Sequence, residues 1–408
     1  ADLDLDPYYA DVPGLVADAG DPGNLAAAGL SLRSCEGVVA LTDDEEANLA
    51  VVQASALLRP DLPVMTRAVS PAMAERMRAF GTPTVVNPFD RFSDHLRIAL
   101  RAPASYQLMT WLESGPGAAL PVRGSPPSHG HWVICGYGRF GREITEDLRE
   151  EGLDVAVVEP SDAAERDADT IVGYGYEPDV LTRAGIERAA GFVAGTDNDT
   201  TNLSLIAAAR RANPTVFVAA RQNKAASAPL FAAVEVDSLL VPADVVAHEV
   251  YAQLSTPLLW RFLREVPRRD DAWADAVVDT LTQLCGQHLQ TMWKVRLTAS
   301  EAPALQTWLT EGGARLGDLL RNPDGREERL HAVPLLLARA AGAEQDVVVA
   351  PDDDVELAPD DELLLVGWPS ARRLLDATLL VDATREYVVH GRTVASGWIW
   401  RKLLRRSV

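Results

Sequence analysis

The sequence predicts an α/β protein: two doubly wound parallel-sheet lobes, the first N-terminally incomplete, followed by a small β-rich C-terminal domain. Three observations carry that expectation. Residues 16–67 and 171–221 are written to one pattern, roughly 150 residues apart, as two copies of one structural unit would be. Within each copy continuous apolar runs alternate with amphipathic stretches, which describes parallel strands covered by helices on both faces. After residue 266 the texture changes to short β-like runs separated by Gly, Pro and Asp turns.

The repeat is specific in order and spacing. Gly20-Asp21, Leu25, Ala28-Gly29-Leu30, Val38-Val39, Thr42-Asp43, Asn48-Leu49, Pro60 and Arg67 are answered by a second series. That series is Gly175-Tyr176, Leu181, Ala184-Gly185-Ile186, Phe192-Val193, Thr196-Asp197, Asn202-Leu203, Pro214 and Arg221.

In the first copy the pattern predicts strands at Asp2–Leu5, Leu15–Ala17, Gly37–Leu41, Pro63–Thr66 and Thr84–Val86. Asp44–Leu58 and Asp90–Leu112 read as helices. Glu113–His129 is rich in Gly, Pro and Ser and reads as a linker. In the second copy strands are expected at His131–Cys135, Asp154–Glu159, Thr170–Gly173, Gly191–Ala194, Thr215–Ala219 and Ser238–Val241. Its helices fall at Arg142–Glu151, Glu177–Ala184, Asn198–Ala212 and Ala243–Leu263. Asp271–Leu289 is helical. Beyond it lie β-like runs at Trp293–Leu297, Leu330–Leu337, Asp346–Val349, Glu362–Val366 and Glu386–Val389. The expected boundaries are a first lobe over 1–112, a linker over 113–129 and a second lobe over 130–265. A connecting helix over 266–290 and a C-terminal domain over 291–408 complete the chain.

Bulk properties narrow the function. A chain of 408 residues implies two or three cores. A formal net charge of −21 argues against nucleic acid and against anionic lipid as partners. Arg401, Lys402, Arg405 and Arg406 form a local basic cluster, read as a solvated end. Cys35, Cys135 and Cys285 lie far apart, without metal-ligand spacing, as suits a reducing compartment. No run reaches the ~18 apolar residues of a membrane span and no signal peptide is present, so a cytoplasmic chain is expected. The acidic loops Asp352-Asp353-Asp354 and Asp360-Asp361-Glu362 do not have EF-hand spacing and read as solvated turns; no metal site is expected. His129 and His131 border a strand and are expected to be structural.

The chemistry concentrates at Val133-Ile134-Cys135-Gly136-Tyr137-Gly138-Arg139-Phe140-Gly141, a strand running into G-x-G-x-x-G at the start of a helix. Gly136 permits the tight turn, Gly138 admits a pyrophosphate against the backbone, and Gly141 lets helix and strand pack closely. The helix N-terminus then holds the anion. Glu159 supplies the acid expected at the end of the second strand of a Rossmann-like lobe. A carboxylate there accepts from both ribose hydroxyls and repels a 2′-phosphate, favouring NAD(H) or an adenosine nucleotide over NADP. Thr196, Asp197 and Asn198 follow the fourth strand at the carboxyl edge of the sheet, where they line the cleft or cap the next helix. No metal constellation, nucleophile elbow or Walker loop accompanies these residues, and no catalytic residue is assigned.

The stretch Ile134–Gly141 with Glu159, Ala184-Gly185-Ile186 and Thr196-Asp197-Asn198-Asp199 resembles the TrkA-N family, the regulator of K⁺ conductance (RCK) domains of prokaryotic potassium channels and transporters. The first copy resembles the same family through Gly20-Asp21, Ala28-Gly29-Leu30, Thr42-Asp43 and Asn48. The tail, with Pro359-Asp360-Asp361-Glu362-Leu363-Leu364, looks like the TrkA-C module. The resemblance implies a ring of such lobes, a homo-oligomer on the cytoplasmic face of the inner membrane. There NAD(H), ATP, ADP or divalent cations gate a K⁺ pore domain carried upstream in the same chain or on a separate subunit. Tyr176 departs from the family, which usually has Asp after this Gly.

The expected function is thus a non-enzymatic ligand-sensing module controlling potassium transport. An NAD-dependent oxidoreductase is the alternative from another class, and a soluble subunit docking on a separate transporter is a third reading. Aligning Pro7 with Pro160 places Asp6 opposite Glu159, and the counterpart of the glycine loop would lie about 20 residues before Ala1. The expectation is a longer native product, with that strand and helix, and a pore region before them.

Overall fold

Strand β4 (His131–Cys135) is buried at all five positions, as a central strand covered on both faces must be. The computed structural model describes residues 14–81, 83–123, 126–160, 170–340 and 346–393. The expected strand Asp2–Leu5, Asp6 and the basic cluster Arg401–Arg406 lie outside them. The chain divides into two compact units, one of Ala1–Arg97 with Pro126–Val250, the other of Ile98–Ser125 with Tyr251–Val408.

The first unit contains both repeat copies. Its strands in chain order are β1 (Val38–Ala40), β2 (Val64–Arg67), β3 (Thr84–Val86), β4, β5 (Asp154–Glu159), β6 (Ile171–Val172), β7 (Ala189–Ala194), β8 (Phe217–Arg221) and β9 (Ser238–Leu240). In the second copy they form a six-stranded sheet of order β6-β5-β4-β7-β8-β9, parallel throughout. The order reverses beside β4, so a crevice opens at the carboxyl ends of β4 and β7. Val133, Phe192, Val218, Leu205, Ile206 and Ala209 make the core between sheet and helices. Burying each of the larger side chains contributes about 1.5–3 kcal/mol.

The first copy forms a three-stranded parallel sheet, β1-β2-β3, which matches the β7-β8-β9 half of the second. Leu15–Ala17 is not a strand. Leu15 and Val16 stand 53% and 77% exposed, and among the described residues no strand pairs with that stretch. A short apolar run without a partner leaves its backbone groups to water.

Each long helix expected after the last strand of a copy is in fact two. Pro88–Arg101 and Pro103–Glu113 replace Asp90–Leu112, and Pro242–Ser255 and Pro257–Glu265 replace Ala243–Leu263. The breaks fall at Ala102 (φ −142°, ψ 71°) and Thr256 (φ −140°, ψ 64°). Both residues precede a proline, whose ring disfavours helical backbone at the residue before it. The apolar periodicity runs through both breaks and hides them.

The two lobes of the first unit are joined by specific contacts. Phe89 and Phe92 pack on Phe140, with ring centroids 5.8 and 5.6 Å apart. The Arg91 guanidinium donates to both carboxylate oxygens of the buried Glu249, at 2.9 and 2.8 Å.

The second unit is an antiparallel sheet between two helical layers. Its strands are β10 (Thr291–Arg296), β11 (Arg321–Asn322), β12 (Gly325–Arg329), β13 (Ala332–Ala338), β14 (Val347–Val349) and β15 (Glu362–Gly367). The main sheet has the order β10-β15-β13-β14, with β11-β12 a separate hairpin. Along β15 alternate side chains serve different cores. Leu364 and Val366 pack with Trp111, Phe262 and Leu281, while Leu363 and Leu365 pack with Trp308, Leu316 and Leu375. Residues 117–120 are held here by backbone bonds to residues 287–289, and the Trp111 indole donates to the Ala118 carbonyl at 3.0 Å.

Glu386–Val389 is helical, within Asp382–His390, and not a strand. Val388 is fully buried from the helix and Gly391 closes it at φ 70°, so packing overrides the β-preference of the two valines. In the acidic loops Asp353 pairs with Arg329, Asp354 with Arg315 and the buried Asp361 with Arg339. Among the described residues no group of His, Cys, Asp or Glu has metal-binding geometry, and no helix is long and apolar enough to cross a membrane.

Candidate nucleotide site

The end of β4 turns sharply into the helix Arg139–Glu150. Gly136 has φ +98°, and a Cβ there would lie 3.1–3.2 Å from Thr196 and Gly195 at the end of β7. Gly141 is more constrained: its Cβ would sit 1.8 Å from the Gly136 carbonyl oxygen, so no side chain fits. Gly138 is the N-cap of the helix and has open space around it. The backbone there can be approached closely by a ligand, and the orphan N–H groups of the first helical turn face it.

Glu159, at the end of β5, accepts a 2.7 Å hydrogen bond from the Tyr137 backbone N–H. The acid and the glycine loop are thereby brought together. Arg139 is half-exposed and lies 3.5 Å from Glu45 of the first lobe. Phe140 gives the loop only its backbone, because its ring is buried against Phe89 and Phe92.

Thr196, Asp197 and Asn198 lie across the crevice at the end of β7. Asn198 caps the helix Asp199–Ala212, accepting from the Thr201 N–H at 3.0 Å. Thr196 is fixed by Asn202, whose Oδ1 accepts from the Thr196 N–H and hydroxyl at 3.0 and 2.6 Å. The Asn202 amide in turn donates to the Thr196 and Arg221 carbonyls at 2.9 and 2.7 Å. Asp197 is exposed. Arg221 sits 4.8 Å above the Phe89 ring, where burial pulls its guanidinium below its usual pKa, with Asp197 opposing.

Two residues that the motif did not assign act beneath the site. Asp199 accepts from the Asn223 and Lys224 N–H groups at 2.6 and 3.0 Å. Burial works to raise its pKa, but hydrogen bonds from Asn223, Ser227 and Lys224 outweigh it and hold the carboxyl below its usual value. Glu45 takes the corresponding place in the first lobe, where its carboxylate accepts from the Val69 and Ser70 N–H groups at 2.6 and 3.0 Å. The signal was present in the repeat, since both residues open the long helix of their copy. At the carboxyl edge of the first lobe a cleft of about 420 Å³ is lined by Thr42, Glu45, Arg67 and, from the second lobe, Arg139.

Two separate stretches, 8–88 and 132–242, match the model of the TrkA-N domain. Each of the two stretches is similar to a TrkA-N domain. It is 25% identical over 143 residues to potassium channel protein 1 of Methanocaldococcus jannaschii, a match covering 33% of this chain and 43% of that one. It is 27% identical over 197 residues to the Trk system potassium uptake protein TrkA of Streptomyces coelicolor, covering 45% and 86%. The chain thus spans less than half of the length of the M. jannaschii channel protein. Among solved structures, the GsuK channel bound to NAD superposes with a TM-score of 0.50 at 15% identity, over 90% of this chain and 70% of that one. That likeness is one of fold. Trp132–Cys135 of β4, the glycine loop and Glu159 fall within the second of the matched stretches.

Proposed function

We propose that this chain is a ligand-sensing regulatory module for potassium transport, whose second TrkA-N domain holds NAD(H) or an adenine nucleotide such as ADP or ATP. The observation that carries the reading is the glycine loop with Glu159 hydrogen-bonded to it at 2.7 Å. Gly136, Gly138 and Gly141 give a turn with one open face, and the backbone of Tyr137, Arg139 and Phe140 offers N–H groups to a pyrophosphate. Glu159 accepts from the ribose hydroxyls by exchanging its bond to Tyr137. Thr196, Asp197 and Asn198 form the opposite wall.

The names of the relatives support the biological setting. In this reading the domains follow the expected division: lobes over 1–112 and 130–265, a linker over 113–129, a connecting helix over 266–290 and a TrkA-C-like domain over 291–408. The partner is a K⁺ pore domain, in the same polypeptide or a separate subunit, met by a homo-oligomeric ring on the cytoplasmic face of the membrane. Regulation requires a ligand that binds one state of the ring better than another. Catalysis has no role in it, and no side chain at the site is assigned one.

Hydrogen exchange with and without NAD⁺, NADH, ADP and ATP tests the proposal. Residues 136–142 gain protection on addition of at least one of them, while NADH incubated with small carbonyl compounds is not consumed. Unchanged exchange with all four overturns the nucleotide reading, and steady NADH oxidation overturns the regulatory one.

A further inference from the structure

Beside the glycine loop stands an aromatic feature that the dinucleotide signature does not require. Strand β6 pairs with β5 so that Val172 lies opposite Glu159, and the Gly173 N–H donates to the Glu159 carbonyl at 3.4 Å. The chain then turns over Tyr174-Gly175-Tyr176-Glu177, closed by the Glu177 N–H on the Tyr174 carbonyl at 2.9 Å. Gly175 is pressed against the end of β4. A Cβ there would meet the Cys135 sulfur at 2.4 Å, one residue before Gly136. The turn is therefore seated next to the glycine loop, on the side of the sheet where Glu159 ends its strand.

The two tyrosines are held together and left open. Their rings stack with centroids 5.3 Å apart and planes at 17°. Tyr174 is nonetheless 50% exposed and Tyr176 41% exposed. Leaving two stacked rings in water at the carboxyl edge forgoes the burial that aromatic side chains normally achieve. In a lobe of this order the acid after the second strand binds the adenosine ribose, so the base lies beyond it, toward the third strand. That is where this turn is.

We propose that Tyr174 and Tyr176 form a stacking platform for the adenine ring of the bound nucleotide. The proposal rests on the nucleotide reading of the preceding subsection and makes it more specific: it assigns two side chains to the adenine base that those ligands share. A flat π-face recognises a base by stacking, without hydrogen-bond readout. The glycine loop and Glu159 would then position phosphate and ribose while the tyrosines hold the base.

Titration calorimetry of the full 408-residue chain with ADP and with NAD⁺ tests this, using wild type, Tyr174→Ala, Tyr176→Ala and the two Tyr→Phe variants. Circular dichroism confirms that each variant is folded. At least one alanine variant weakens ADP binding about tenfold or more, the loss typical of a lost base–aromatic stack, and its phenylalanine counterpart restores it. The loss is equal for NAD⁺, because the adenosine half is common to both ligands. Alanine variants that bind ADP like wild type overturn the platform and leave the nucleotide site standing. A loss confined to NAD⁺ also overturns it, since the rings would then serve the nicotinamide half. A wild type that binds neither ligand overturns both proposals.

Discussion

Asn48 and Asn202 make the same four hydrogen bonds in the two lobes of the first unit. Each Oδ1 accepts from the N–H and hydroxyl of a threonine, at 3.0 and 2.8 Å for Thr42 and at 3.0 and 2.6 Å for Thr196. Each amide nitrogen donates to the carbonyl of that threonine and to an arginine carbonyl on the next strand, Arg67 or Arg221. One buried side chain thus ties the ends of two adjacent parallel strands to the helix between them. The duplication of sequence is a duplication of this clamp.

Replacing either clamp removes partners from buried backbone groups. Asn202→Ala and Asn48→Ala are each expected to destabilise the protein by about 1–3 kcal/mol, since unsatisfied buried polar groups carry that cost. Urea denaturation measures it. Asn202→Ala also frees Thr196 at the crevice, so nucleotide affinity falls with stability there, whereas Asn48→Ala leaves affinity unchanged.

The first unit has a built-in pH dependence. Glu143 is pushed up to about 7, first by burial and then by Asp90, Asp147, Glu146 and Asp94. Burial also raises Asp90 and Asp147, and Arg97 offsets part of the charge through Asp94 and Asp147. The native state therefore binds more protons than the unfolded chain between the ordinary value of 4.5 and about 7. The stability that this contributes is fully present below 4.5 and is lost as pH rises through about 7. Melting temperature should fall from pH 5 to pH 8, and the fall should be smaller in Glu143→Gln. An identical pH profile in the variant contradicts this assignment.

In the second unit Asp361 is 1% exposed and is held by Arg339 at 2.8 Å and by the Ala358 N–H at 2.9 Å. Arg339→Ala leaves a buried carboxylate without its countercharge and should cost about 3–5 kcal/mol. Arg315→Ala, which removes an exposed pair with Asp354, should cost under about 1 kcal/mol. Equal effects in thermal unfolding would mean that burial does not separate the two pairs.

What the sequence made legible was local. The glycine loop, Glu159 and the alternation of strands and helices depend on neighbours within a few residues, and the second lobe follows them closely. Asn48 and Asn202 were visible as repeat positions, but their partners at Arg67 and Arg221 lie 19 residues away, so their role appears only in the fold. The breaks before Pro103 and Pro257 were hidden because apolar spacing continues across them. Glu386–Val389 was misread because two valines and a tyrosine carry strand propensity, and only the burial of Val388 from a helix reverses it. Asp352–Asp354 stay exposed, as expected of solvated turns, but Asp361 is buried on Arg339, through a contact no short window contains.

The glycine loop of the second lobe is the proposed seat of the nucleotide. Calorimetry with NAD⁺, NADH, ADP and ATP on wild type and Gly138→Asp tests this most directly. Gly138 has no atom within 4 Å of where a Cβ would stand, so the variant folds while placing a carboxylate against the pyrophosphate position. Wild type is expected to bind at least one nucleotide saturably, and Gly138→Asp none. Absence of binding by wild type, or equal binding by the variant, would contradict that assignment.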